Sequence, residues 1–436
     1  MKIAKASLIT AGDNGAYAIV ALALSLFVFA YSARFGQASI LLYYALWLPL
    51  LLVDYRGVLG NPARYAWLFA FAIFACLSFS WSAAPGVTVR AGLQYFSHVV
   101  CAVIAMRVID TRSMTRGLIA GTGIVLAYSL LFGVYHLDPL DGGYSFVGAF
   151  ASKNQLGFYA SLGVYFAFAC VFLLRDRGIW IFPTAAVGLM SAYCLYASQS
   201  ATSALTTVAV IGISLGLHVL APLSPQTRKT VFVAVAIVGV VGVVGAIYGG
   251  AVDSVLGIFG KDSTLTGRTY LWQQGIEAAG ATPLIGVGYQ AYWVQGFAEA
   301  ERLWEEFYIG SRSGFHFHNT FIETMVETGF IGLLLLCSVL LVTVIGHLGR
   351  MLSQKVATES SILFGVAILL LMRAFVEVDT LNPYHVGSFL LYFAAGRLTL
   401  PAHRASQAQP RAFAPMPEDT HLRSVGLSSL FERPAR

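Results

Sequence analysis

The sequence predicts an all-α polytopic membrane protein of about 12 transmembrane helices with one large extracytoplasmic loop that contains short helices. Three observations predict it. Of 436 residues, 57% are hydrophobic and 11% charged, where a soluble domain carries about 25% charged residues. Apolar runs of membrane-spanning length recur from end to end. Lysine and arginine are dense in every second connection and sparse in the others.

The expected spans are roughly 16–33, 38–54, 65–82, 88–106, 117–135, 154–174, 178–197, 200–221, 230–251, 320–346, 358–377 and 384–400. One set of flanks holds Lys2, Lys5, Arg56, Arg64, Arg107, Arg112, Arg116, Arg175, Arg177, Arg228, Lys229, Arg350 and Lys355. The short loops of the other set hold Arg34, Arg90 and Lys153. The positive-inside rule then places both termini in the cytoplasm and the loop 252–319 outside. This bias also accounts for the net charge of +6, so no nucleic-acid surface is expected. The first apolar run leads into a Tyr/Arg stretch and another span, not a small-residue cleavage site, and no cleavable signal peptide is expected. Cys76, Cys101, Cys170, Cys194 and Cys337 all lie in apolar runs and suit small core residues, not a disulfide or metal set.

The chain is thus divided into spans 1–9 over residues 1–251, the outer loop 252–319, spans 10–12 over 320–400, and a tail 401–436. The tail is rich in Pro, Ala, Arg and Ser without periodicity and is expected to be disordered. Within the loop, GRTYLWQQGIEAAG (267–280) and FAEAERLWEEFY (297–308) pattern as short amphipathic helices around the turn stretch ATPLIGVGYQAYW. A loop of this length with helical pattern and aromatics is expected to be functional. No internal repeat is visible, which counts against the transporter folds built from repeated halves.

Polar side chains gather at the span ends on the loop's side: Arg90, Gln94, Lys153, Asn154, Gln155, Ser198, Gln199, Ser200, Arg268, His316, His318, Asn319, Glu323, Glu327, Arg373, Glu377 and Asp379. Ionisable residues at membrane depth are costly and point to function. Plainer roles exist for several. Arg373 and Glu377 stand four apart and suit a helix-face pair. Thr320 and Glu323 form a T-x-x-E capping box. Lys153 and Arg90 suit snorkelling. Arg302, Glu305 and Glu306 suit a solvated helix face. His316 and His318 form a His-x-His pair, but no Cys or Asp cluster stands beside it, and no metal is expected. His318 stands just before a helix N-terminus, where the dipole disfavours a protonated imidazole. A neutral histidine there is fit to act as a general base near pH 7.

These residues carry a resemblance. HFHNTFIETMVETGFIG (316–332) resembles the H-x-H-N…E-x-G-x-x-G signature of the O-antigen ligase/polymerase superfamily. TGRTYLW (266–272) and PLIGVGY (283–289) resemble its G-R…W…P-x-x-G-x-G block. WSAAPGVTVR (81–90), ASKNQLG (151–157) and SQSATS (198–203) resemble patterns of the exopolysaccharide-polymerase branch. The likeness spans most of residues 80–380, in the same order.

The resemblance implies a membrane glycosyltransferase-type fold in the bacterial inner membrane, with the active site on the periplasmic face. It implies an undecaprenyl-diphosphate-linked glycan as donor, a glycan or lipid A-core as acceptor, no metal, and no cofactor. Chain-length regulators and flippases are the partners such enzymes work beside. His318 takes the place of the catalytic histidine and Arg268 that of the arginine of the Gly-Arg block. Many ligases carry an arginine where this chain has SQSATS. A second diphosphate-binding cation must then come from Lys153, Arg90 or Arg373, with Asn154, Asn319 and Glu377 lining the same site. Tyr289, Tyr292, Trp293 and Trp304 are candidates to stack on sugars or to form the loop's core. Three functions stand open: a repeat-unit polymerase for exopolysaccharide or O-antigen, a ligase of finished glycan, and a transporter or flippase.

Overall fold

Residues 4–137, 143–249, 267–354 and 357–400 are described by the structure, a computed structural model. The tail 401–436, Lys2, Lys355 and the first part of the long loop lie outside the described residues.

The described chain is mostly helical: α1 (Gly15–Trp47), α2 (Pro49–Leu59), α3 (Ala70–Leu77), α4 (Pro85–Val108), α5 (Thr111–Phe132), α6 (Lys153–Phe168), α7 (Ile181–Ala197), α8 (Ala201–Leu220), α9 (Pro225–Tyr248), α10 (Arg268–Ala281), α11 (Ala298–Glu306), α12 (Thr320–Ser353), α13 (Thr358–Ala374) and α14 (Val386–Arg397). Among the described residues, eight helical runs are long and apolar enough to cross a bilayer unaided. The expected twelve differ for local reasons. Spans 1 and 2 are one run, α1, broken at Tyr31 and at Gly36 with φ 64°. Span 3 is a short helix flanked by 3-10 turns. Spans 11 and 12 shrink to α13 and α14, because the chain between them, Phe375–His385, is not helical. The Asn382-Pro383 step inside it is a turn signal that apolar neighbours obscure.

Not every element is helical. Val134–Leu137 (β1) and Tyr144–Gly148 (β2) pair antiparallel after α5, with His136 opposite Ser145. The second strand buries Ser145, Phe146 and Val147 in succession, a run without alternation and too short to stand out beside the surrounding apolar runs.

Small residues let the helices approach. A Cβ on Gly117 or Gly121 of α5 would lie 2.9 Å from Leu22 Cβ or Ala23 Cα of α1. That is the close backbone packing on which helix association in lipid depends. Arg228, near the start of α9, is buried and donates to the carbonyls of Met351, Gln354, Ala221 and Leu223. It therefore ties the ends of α8, α9 and α12 together besides contributing to the charge bias. Beyond Arg228, none of the described side chains of α9 is buried.

The feature that positions the site is a break in α12. Gly329 has φ 64° and ψ −169°, which interrupts the helical ladder and frees backbone groups on both sides. The loop before α11 supplies their partners. Val287 and Gly288 N–H donate to the Val326 and Glu327 carbonyls at 3.0 and 2.9 Å, and Phe330 and Ile331 N–H donate to the Pro283 and Leu284 carbonyls at 2.8 and 3.2 Å. A Cβ on Gly329 would lie 2.2 Å from the Leu284 carbonyl carbon, and one on Gly286 (φ 65°) 2.4 Å from that of Glu327. The P-x-x-G-x-G and E-x-G-x-x-G stretches are therefore two halves of one joint. Alanine at Gly329 or Gly286 is expected to destabilise by about 2 kcal/mol or more through positive φ and backbone overlap. The drop is measured as membrane level and unfolding temperature. The double variant should lose little beyond either single one, because both break the same contact.

Candidate active site

The first turns of α6, α8, α10 and α12 meet the segment that follows α13, and side chains from all five make one hydrogen-bonded network. Its centre is Glu377, which is buried. Oε1 of Glu377 accepts from Arg268 Nη2 at 2.9 Å and from Asn154 Nδ2 at 2.8 Å. Oε2 lies 3.5 Å from His318 Nδ1, at the long limit of a hydrogen bond. Arg268 Nη1 donates to the Val376 carbonyl at 2.6 Å. Arg268 is the first residue of α10, entered through Gly267 in the left-handed conformation. Asn154 Oδ1 accepts from Ser200 Oγ, the cap of α8, at 2.9 Å.

Arg373 and Glu377 are not a pair. Arg373 instead holds Asp379 through Nε at 2.5 Å, donates to Ser203 Oγ at 2.9 Å and lies over the Phe158 ring at 4.2 Å. The Glu377 N–H still closes a turn on the Arg373 carbonyl at 2.7 Å, but the side chains part, and Glu377 turns toward Arg268. Arg373 is 1% exposed and its charge is matched by Asp379. Its guanidinium is taken up by these partners, and it braces the segment.

The capping of α12 also differs from the T-x-x-E expectation. Asn319 is the cap: its Oδ1 accepts from Phe321 and Ile322 N–H, and its Nδ2 donates to the Phe375 carbonyl. Asparagine one residue upstream is the better cap, which frees Thr320 to donate to the Glu377 carbonyl. Glu323 turns away from the cap and accepts from Trp293 Nε1 and Phe317 N–H.

His318 has φ 52°, a conformation that strains a non-glycine residue and is concentrated at functional sites. Its N–H donates to His316 Nδ1 at 3.0 Å. Nδ1 of His318 is wholly buried, while a quarter of the side chain stays exposed. Burial, and then the Arg268 guanidinium, push the imidazole below its ordinary value, against Glu377, which raises it. The neutral imidazole thus rests on burial and on a fixed cation, where the sequence suggested the helix dipole alone. Burial, then His318, push His316 down to about 3. Burial alone would raise Glu377, but Arg268, His318 and Arg373 outweigh it and hold the carboxyl well below the usual range.

The remaining candidates are placed differently. Lys153 is half-buried at the start of α6, beside Asn154. Arg90 is exposed on α4, at an open recess of about 440 Å³ that it lines with Ala84, Pro85, Gly86 and Val87; no contact among the described residues joins it to Glu377. Tyr292 and Trp304 are buried in the loop's core and Tyr289 in the main helical core, leaving no ring face for a sugar. Two contributors, Val376 and Ser203, were hidden in the sequence: the first acts through a backbone carbonyl, the second through a hydroxyl in a small-residue run.

His316, His318 and Glu377 place one ligand atom each within 4.8 Å of one another, so the donor types suit a small cation. The surroundings do not. His316 Nδ1 already accepts a backbone N–H, and the Glu377 carboxylate already pairs with Arg268. A divalent ion would have to enter next to a fixed guanidinium and compete for its only anionic ligand.

A family described as O-antigen ligase matches residues 185–337. The exopolysaccharide production protein ExoQ of Rhizobium meliloti (strain 1021) is 66% identical over 419 residues, which cover 96% of this chain and 96% of the relative. The chain belongs to the O-antigen ligase/polymerase superfamily, in the branch of the exopolysaccharide production proteins.

Proposed function

We propose that the protein is an inner-membrane polymerase that joins undecaprenyl-diphosphate-linked oligosaccharide repeat units into exopolysaccharide at the periplasmic face. The observation that carries this reading is that His318 and Arg268 share one buried carboxylate, Glu377. A base and a fixed cation are thereby locked at one locus.

The chemistry follows from these groups. The donor's anomeric carbon bears a diphosphate-lipid leaving group, so the needs are acceptor activation and charge stabilisation. His318 Nδ1 faces Glu377, which leaves Nε2, across the ring, to take the proton from an acceptor sugar hydroxyl. The hydroxyl oxygen bonds the anomeric carbon as the bond to the diphosphate breaks. A single displacement inverts the anomeric centre. Glu377 holds the ring and stabilises the imidazolium that forms. Arg268, still partly exposed, offers its remaining N–H groups to the diphosphate, with Lys153, next to Asn154 in the chain, or Arg90 as the second cation. The converging first turns of four helices add their N-terminal dipoles to an anion site. Fixed cations replace a divalent metal.

The family description favours one second reading, a ligase that moves finished glycan to another acceptor. In a deletion strain, single repeats left on lipid with loss of secreted polysaccharide mean polymerase. Accumulated lipid-linked polymer means ligase.

His318→Ala and Arg268→Ala are each expected to lower glycan transfer by about 100-fold or more per folded protein in the membrane. Near-normal polymer from either would defeat the mechanism. Transfer by purified protein should persist in excess EDTA. The wild-type rate should rise through a limb below pH 6.5, the ordinary histidine value, because the folded imidazole loses its proton more readily. Glu377→Gln removes the group that raises this value, so the limb should move to lower pH while the plateau falls about tenfold or more. An unmoved limb would disconnect Glu377 from the base.

A further inference from the structure

Glu323 is a buried carboxylate that the transfer chemistry does not use. It is 3% exposed, and among the described residues its partners are two neutral donors. Oε2 accepts from the backbone N–H of Phe317 at 2.7 Å, and Oε1 from Trp293 Nε1 at 2.8 Å. A carboxylate buried without a cation is expensive, so its place calls for a purpose. Phe317 is the residue immediately before His318. The segment is pinned at successive points: His316 Nδ1 accepts the His318 N–H, Glu323 takes the Phe317 N–H, and Asn319 caps α12. Between these points His318 is held at φ 52°. Trp293 extends the tie outward, since its ring packs on Phe317 at 4.9 Å and on Phe315 at 5.2 Å.

The structure assigns Glu323 as the positioning residue for His318: it grips the backbone one residue before the base and, through Trp293, couples the base to the aromatic core of the outer loop. This rests on the base role proposed for His318. Without Glu323 the Phe317 N–H loses its partner in a buried position, and nothing opposes relaxation of the strained His318 backbone. The donor-binding groups Arg268, Asn154 and Glu377 are untouched.

The test uses full-length protein in nanodiscs with polyprenyl-diphosphate-linked glycan extracted from a deletion strain. Glu323→Ala is expected to lower kcat by 10- to 100-fold with KM for the lipid-linked glycan within twofold. Glu323→Gln keeps one acceptor oxygen and should recover part of the loss. Trp293→Phe should lower kcat less than fivefold. A second readout needs no turnover: carbethoxylation of His318 by diethyl pyrocarbonate, followed by mass spectrometry, should be at least threefold faster in Glu323→Ala. If Glu323→Ala does not fold, Glu323→Gln carries both readouts. Wild-type kcat and labelling in the folded variant overturn the proposal, as does a loss confined to KM. His318→Ala run in parallel separates the two ideas: if it still transfers glycan, the base reading fails, while the labelling rate judges the tie on its own.

Discussion

The shared carboxylate of Glu377 is the interaction on which the rest of the site depends. Two unit charges 4 Å apart gain about 4 kcal/mol at an effective dielectric of 20. Removing each ion from water costs several kcal/mol. The pair with Arg268 therefore does not hold itself in place by charge alone. The balance is supplied by Asn154 on the same oxygen, by the Val376 carbonyl on the arginine and by Ser200 behind the asparagine. Each of those partners sits in the first turn of a different helix or in the segment after α13. A shift of any one helix end thus strips a partner from a buried charge, and the network fixes five elements relative to one another.

The same economy explains why Phe375–His385 is not helical. Non-helical backbone near a membrane survives only where its polar groups find partners in protein or water. Here the carbonyls are taken one by one: Phe375 by Asn319, Val376 by Arg268, Glu377 by Thr320, Thr380 by Tyr95 and Leu381 by Tyr289. Tyr289 and Tyr95 are buried because they serve this segment, which is why aromatic residues beside the site are not free to bind sugar.

The fold class was legible because span length and charge bias are properties of long windows. His318, Arg268 and the helices at 268–281 and 298–306 were legible because motif order and amphipathic pattern mark them. What was hidden depended on single backbone torsions. The Gly329 break and the early end of α13 each interrupt an apolar run with little change in its composition, and the paired strands Val134–Leu137 and Tyr144–Gly148 lie in a connection between two expected spans. The expected pairing of Arg373 with Glu377 fails for another reason. The turn from Arg373 to Glu377 is still closed by a backbone bond, but each side chain has another partner, Asp379 for Arg373 and Arg268 for Glu377, which an i, i+4 spacing does not reveal. The cap was misplaced by one residue because T-x-x-E and N-T-F-I compete for the same turn, and Asn319 had a second partner in Phe375 that sequence spacing does not reveal.

The joint at Gly329 then gives the two glycine-rich stretches a common cause. A break in α12 is tolerable only if another strand of backbone fills it, and residues 283–288 do so from both sides. That strand leads directly to Gln290 and Trp293 in the outer loop. Gln290 Nε2 reaches Asn382 at 2.9 Å, in the same segment that carries Glu377. The loop therefore meets the site twice, once through Trp293 and Glu323 beneath His318, and once through Gln290 and Asn382 beyond Glu377. A loop anchored on both sides of this network is part of the site's scaffold, and a change in its seating must alter His318 and Glu377 together.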